Sequence, residues 1–244
     1  MMTHKTKGIV LRTIKYGETS VIVTIFTELF GVQTYMVNGV RSEKRASVKA
    51  NYFQPAAILD LVVYHSDQKQ MQRIKEFAWG VLFEQVLSDV IKNSIALYIV
   101  ELLQKCLKHP EHNPELFYFC EEVLLRLDVA DKATAANFAL FFALHLTQFF
   151  GFRMNDNYTE ARNILDLEEG DFVVALPAHP NFVAGEHAFI TAQLLKAMQP
   201  EDLPQFKLNH NDRRKLLLYY QNYYALHIPD FGVMKTLAVL QEVL

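Results

Sequence analysis

The chain has 244 residues, 51% of them hydrophobic and 21% charged, enough for one large domain or two to three small ones with a buried core. No unbroken apolar run reaches the roughly 18 residues of a membrane span, and the start, MMTHKTKGIV, lacks the apolar stretch of a secretory signal. The expectation is therefore a cytoplasmic protein without a membrane role. The net charge of −3 is unevenly placed: residues 1–80 carry +5 and residues 81–244 carry −8, so a polyanion site is expected on the first segment only.

The first 80 residues read as β-structure. GIVLRTIKY (8–16) is rich in β-branched residues, and Gly17 supplies a hairpin turn into SVIVTIFT (20–27). That second run is continuously apolar, as expected of a strand buried on both faces. Gly31 breaks the run before VQTYMV (32–37). A loop with four cations and one acid follows, NGVRSEKRASVKA (38–50). In AILDLVVY (57–64), Leu59, Leu61 and Val63 point one way and Asp60, Val62 and Tyr64 the other. HSDQKQ (65–70) is turn material, and MQRIKEFAW (71–79) completes a set of five short strands. A small sheet hides its edges best by closing, and five strands close as an OB-fold.

The period then changes. Residues 82–108 predict one long helix that stops before Pro110. Asn113 is placed to cap a helix with Pro114 at its first position. That helix presents Leu116, Phe119, Cys120, Val123, Leu124 and Leu127 on one face. Asp131 starts another, with Phe138, Phe141, Phe142, His145 and Phe149 in a stripe that reads as packing core, His145 being a hydrogen-bonded core histidine. Residues 151–186 break the pattern, with one short strand expected in DFVVAL, and helices resume at 187–198, 211–227 and 233–243. The fold class is multi-domain α+β. An N-terminal five-stranded OB-fold barrel (1–80) precedes an all-α helical domain (81–244) with an irregular excursion of about 35 residues, a length that favours a functional or subdomain role.

No phosphate-binding loop, dinucleotide fingerprint, zinc-protease helix or nucleophile elbow occurs, and no nucleophile is paired with a base, so the expectation is a non-enzymatic protein without a cofactor. Cys106 and Cys120 are not in a C-x-x-C pair and read as buried thiols. His179 and His187 share a loop without a third ligand, and Glu168, Glu169 and Asp171 beside Gly170 mark a solvated turn. What remains is binding. Single strands are held by cations along the phosphates and aromatic faces under the bases. Residues 1–80 supply Lys5, Lys7, Arg12, Lys15, Arg41, Lys44, Arg45, Lys49, Lys69, Arg73 and Lys75, with Tyr16, Tyr35, Tyr52 and Tyr64 as candidate stacking faces.

The opening segment resembles the RecO family of recombination mediators. The resemblance rests on Gly8 to Arg12 (G-x-V-L-R), Tyr16 to Glu18 (Y-G-E), Ile22 to Thr27 (I-V-x-x-F-T), Gly31, and Gly39 to Arg41 (G-x-R). It continues more loosely into RRKLLLYYQNYYALHIPDFGVMKTLAVLQ. Many members carry four zinc-binding cysteines in the excursion; this chain has none between residues 151 and 200, so a metal-free branch is implied. The excursion must then be held by packing, with Phe152, Ile164, Leu165, Phe172, Leu176 and Phe182 as candidates. The resemblance implies DNA repair by binding single- and double-stranded DNA, annealing strands and joining RecR. It also implies contact with the C-terminal tail of single-stranded DNA-binding protein to help load RecA, at the nucleoid. Arg12 and Arg41 fall on the family's motif and are the expected phosphate contacts. Lys7, Lys15, Tyr16, Lys44, Arg45 and Lys49 extend them. Arg213, Arg214 and Lys215, on a helix with Leu217, Leu218 and Tyr220, are the candidates for the partner's acidic tail. The alternative is an OB-fold protein-interaction scaffold without direct DNA binding, since the fold hosts several ligand classes.

Overall fold

The structure is a computed structural model that describes residues 2–40 and 50–244. Five strands, β1 (Thr3–Tyr16), β2 (Ser20–Thr27), β3 (Gly31–Val37), β4 (Ile58–Tyr64) and β5 (Met71–Trp79), close in the order β1-β2-β3-β5-β4. All pairs are antiparallel except β3 with β5. This is the OB-type barrel expected from the spacing of short apolar runs and glycine turns. Its interior is filled by alternate side chains, among them Val10, Val23, Ile25, Tyr35, Leu59, Leu61 and Val63.

The expectation that β2 is buried on both faces needs correction. Val21, Val23 and Ile25 point into the barrel, while Ile22 and Thr24 lie half-exposed outside. Only Phe26 is covered on the outer face, where it meets Phe117 edge-on at 5.5 Å. Phe117 belongs to α2 (Pro114–Val129), and the compact unit that holds the barrel comprises residues up to Leu87 together with Leu103–Asp128. Asn113 caps α2 as expected, its Oδ1 accepting the Leu116 N–H at 3.0 Å.

The long helix expected over 82–108 is shorter: α1 runs Val90–Cys106. Residues 81–89 turn instead, because the Asp128 carboxylate accepts the N–H groups of Glu84, Gln85 and Val86 at 2.9, 2.8 and 2.7 Å. Asp89 then caps α1 by accepting the Lys92 N–H. Local apolar periodicity loses here to a carboxylate more than 40 positions away. Cys106 and Cys120 are both buried, and burial pushes both thiols well above their ordinary value.

The second compact unit comprises Ser88–Leu102 and Val129–Leu244. It contains α3 (Lys132–Leu146), a 3-10 turn (Thr147–Phe150), α4 (Glu186–Leu195), α5 (His210–His227) and α6 (Lys235–Val243). Asp131 caps α3 through the Thr134 N–H at 2.8 Å. The segment Lys132–Phe150 reaches the length and mean hydropathy (1.3) of a membrane span. Its apolar side chains are the unit's core, however: Phe138, Leu140, Phe142 and Leu146 are buried. His145 lies among them and bonds the Ala197 carbonyl through Nε2 at 2.8 Å.

Burial holds the His145 imidazole below its ordinary value, against the opposing Ala197 bond. A base whose folded value is depressed contributes stability that is present above its unfolded value and lost as pH falls. Lowering pH from about 7.5 to about 5 should therefore lower the thermal midpoint, and less so in His145→Gln. Equal falls in both proteins would dismiss this role for His145.

The excursion holds more order than the single strand expected. Three short strands, β6 (Ile164–Asp166), β7 (Asp171–Val173) and β8 (Phe182–Val183), form a sheet ordered β7-β6-β8. Leu165, Phe172 and Val183 are buried within it. The Asn157 carboxamide pairs with both the N–H and the carbonyl of Phe172, closing the β7 edge as a further strand would. Tyr223 donates to the Phe152 carbonyl at 2.6 Å, and His227 stacks on Phe152 and bonds the Leu167 carbonyl. Leu176, expected in this packing, is 66% exposed, because the chain leaves the sheet at Val173. Packing on α5 thus holds the segment. Among the described residues no group of three or more His, Cys, Asp or Glu side chains is placed to bind a metal ion.

Candidate nucleic-acid interface

The outward face of the barrel follows from strand register. Residues paired across neighbouring strands share a face, in the antiparallel pairs and in the parallel β3–β5 pair alike, so the pairings define rows. One row runs Arg12–Thr24–Thr34–Met71 across β1, β2, β3 and β5. The next runs Ile14–Ile22–Met36–Arg73 and continues to Tyr64 on β4. A third pairs Tyr16 with Ser20, whose hydroxyl reaches Asn38 at 3.0 Å. At about 4.8 Å between strands, the face is roughly 14 Å wide from β1 to β5.

A β-bulge builds this face. The β1–β2 register shifts between Val10 and Arg12, leaving Leu11 as the extra residue. Val10 and Leu11 are both buried. Without the bulge, strict alternation from Val10 would aim Arg12 into the barrel. With it, Arg12, Ile14 and Tyr16 emerge together on the outside. Ile14 is 42% exposed, Tyr16 51% and Met71 38%. The result is an apolar and aromatic platform with an arginine on each of its two main rows, Arg12 on β1 and Arg73 on β5. Platform and cations together are what a single strand needs, with faces for its bases and charge for its phosphates.

The expected contact residues divide accordingly. Arg12 and Tyr16 share the platform. Lys15 is exposed but pairs with Val21, on the opposite side of β1 near the open end of the barrel. Lys7 lies about 15 Å along β1 from Arg12. Its ammonium is held at 2.7 Å by Glu121, and that bond raises its pKa. Around it a groove of about 560 Å³ is lined by Lys5, Lys7, Glu28, Asp60 and Glu76, an acid-rich surface that suits phosphate poorly. Arg41, Lys44, Arg45 and Lys49 lie outside the described residues.

Two expected stacking faces are corrected. Tyr35 is fully buried in the barrel core, and burial raises its hydroxyl pKa. Tyr52 is occupied, stacked on Trp79 at 4.5 Å and edge-on to Phe77 at 5.2 Å. Tyr64 is half-exposed beside Arg73. That Arg73, one of the candidate cations, shares a face with the apolar platform residues was not legible in the sequence, because that face depends on the bulge and on the parallel β3–β5 pairing.

On α5, Tyr220 is 1% exposed and its hydroxyl lies 3.0 Å from that of Thr191, so it belongs to the core and cannot line a surface groove. Arg213 is tied inward, donating to Asn137 Oδ1 at 3.0 Å and to the Leu244 carbonyl at 3.4 Å, and burial lowers its pKa. Arg214 and Lys215 are exposed, with Leu218 beside them one helical turn on.

A closed OB-type barrel with a cation-flanked outer face, in a chain that continues into helices, defines an OB-barrel protein with an appended helical region. Residues 1–80 match the family model "Recombination protein O N terminal", and residues 87–236 match "Recombination protein O C terminal". The chain belongs to the RecO family. It is 31% identical to the DNA repair protein RecO of Azobacteroides pseudotrichonymphae over 242 residues, with 99% of each chain covered. It is 34% identical to the proteins of that name from Bacteroides fragilis and Flavobacterium psychrophilum, again with 99% of each chain covered.

Proposed function

We propose that this protein is a DNA repair and recombination mediator that binds DNA through the outer barrel face and anneals complementary strands. With RecR it helps load RecA onto strands covered by single-stranded DNA-binding protein, in the cytoplasm at the nucleoid. No catalytic group is needed for this, since phosphate neutralisation and base stacking act through binding alone. The observation that carries the reading is the platform of Ile14, Tyr16 and Met71 flanked by Arg12 and Arg73 in a chain of the RecO family. Arg214 and Lys215 beside Leu218 supply cations and apolar surface for the partner's acidic tail.

Binding of a labelled oligonucleotide, followed without ATP across a salt series, tests the reading. Four to six phosphate contacts give a log–log slope of roughly −3 to −4 on single strands. Arg12→Ala with Arg73→Ala should flatten the slope by about 1.4, and the triple change of Arg41, Lys44 and Arg45 to Ala by about 2. An unchanged slope removes the altered residues from the site. Point variants are preferred to deleting residues 1–80, because the compact unit also contains Leu103–Asp128 and deletion would strip Phe117 and Glu121 of Phe26 and Lys7. Exposed Ile14 and Met71 also suit a protein ligand. Absence of DNA binding at low salt, with capture of RecR, would favour the scaffold reading.

A further inference from the structure

The row Arg12–Thr24–Thr34–Met71 ends at Met71, where the β4–β5 loop, residues 65–70, enters β5. There the surface drops into a slot of about 580 Å³, within the range of small-ligand sites. Thr34 is common to the platform and the slot. Leu29, Phe30, Val32 and Pro110 form apolar walls, Gln33, Gln68 and Gln70 supply carboxamides, and Asp67 and Lys69 add one charge of each sign at the rim.

Both sides of the slot are fixed in advance. Gln72, buried in β5, turns its carboxamide to the loop: Oε1 accepts the Ser66 N–H at 3.1 Å, and Nε2 donates to the carbonyls of Ser66 and Lys69 at 2.9 and 2.7 Å. His65 stacks on Phe30 at 3.9 Å and bonds Asp67 through Nε2. Opposite, Gln33 Nε2 donates to the Phe30 carbonyl at 2.8 Å. These bonds shape the walls without using Gln68 or Gln70, both of which are exposed.

We infer that this slot takes one nucleobase of a single strand lying on the platform, with the carboxamides of Gln68 and Gln70 meeting the base edge. The inference rests on the DNA-binding reading and deepens it. A carboxamide is at once donor and acceptor, as a base edge is, and carries no charge to repel or attract phosphate. Lys69, which also lines the slot, supplies a cation for the adjoining phosphate. A duplex cannot use the slot, because its bases are paired and stacked; only an unstacked base enters.

The probes are two oligonucleotides of equal length, one ordinary and one made of abasic sites, with a duplex as third. The intact protein should prefer the ordinary strand to the abasic one. In the double variant Gln68→Ala, Gln70→Ala that preference should shrink roughly tenfold. Duplex affinity and salt slope should stay unchanged, since no phosphate contact is lost. Gln72→Ala, which frees the loop, should weaken the same preference. Full retention of the preference in the double variant, or an equal loss on duplex, overturns the slot while leaving DNA binding in place. Absence of binding by the unaltered protein to all three probes at low salt overturns the DNA reading itself.

Discussion

Replacing Gly31 with alanine should lower the thermal midpoint of the barrel unit by roughly 15 °C or more. Gly31 turns β2 into β3 at φ +60°, and a Cβ placed there would stand 2.2 Å from the Glu111 carbonyl oxygen and 2.9 Å from the Glu111 nitrogen. Those are backbone atoms, so no rotamer change relieves the clash; either the turn or the 107–113 segment must move. Left-handed strain adds to overpacking, for a total cost of about 3–5 kcal/mol. Gly17→Ala is the control, because it has φ +59° with nothing within 4 Å of the new Cβ. It should cost only about 1–2 kcal/mol. Circular-dichroism melts of the two variants measure the difference. Equal losses would show that backbone conformation, and not the approach of Glu111, makes glycine necessary. Gly31 also lies between Phe30 and Val32 in the slot wall, so a tolerated variant with altered base preference would separate folding from binding.

Asp128→Ala is expected to be the next most damaging change. One carboxylate serves three N–H groups at 2.7 to 2.9 Å and is itself buried near the end of α2. Alanine deprives all three donors of this acceptor, at about 1–3 kcal/mol for each that water cannot reach. A loss of roughly 3–5 kcal/mol follows, read as a lowered urea midpoint. Asp128→Asn retains one acceptor oxygen and should fall between. A loss below about 1 kcal/mol would show that residues 81–89 hold their turn without the carboxylate.

The same aspartate shows where reading along the chain stops. Residues 82–89 contain no breaker and continue the apolar pattern of α1, so a helix was the local answer. The competing acceptor lies in α2, and no window of neighbouring residues contains both. Asn113 and Asp131 were recognised as caps because a cap and the N–H it satisfies are three residues apart. The β-strands were equally legible from their runs and turns. β6 and β8 were missed because strands of two or three residues carry almost no periodicity, and their pairing depends on Leu165 meeting both Phe172 and Val183.

The candidate site divides along the same line. Arg12 and Tyr16 were found from residue type and motif. On residue type alone Tyr35 stands beside Tyr16 as a stacking face, yet one is core and the other platform. Arg73 was one cation among eleven until β5 paired with β3. Tyr220 read as a surface neighbour of Arg214, although the Thr191 hydroxyl draws it inward.

The sequence by itself determined five strands, the capped helices, the excess of cations in the first 80 residues and the motif shared with the RecO family. Each of these is written in composition or in spacings of a few residues. Tertiary structure alone decided which cations and rings share a surface. One bulged residue in β1 reverses the facing of every side chain after it, and strand pairing joins residues as far apart in the chain as Met36 and Arg73.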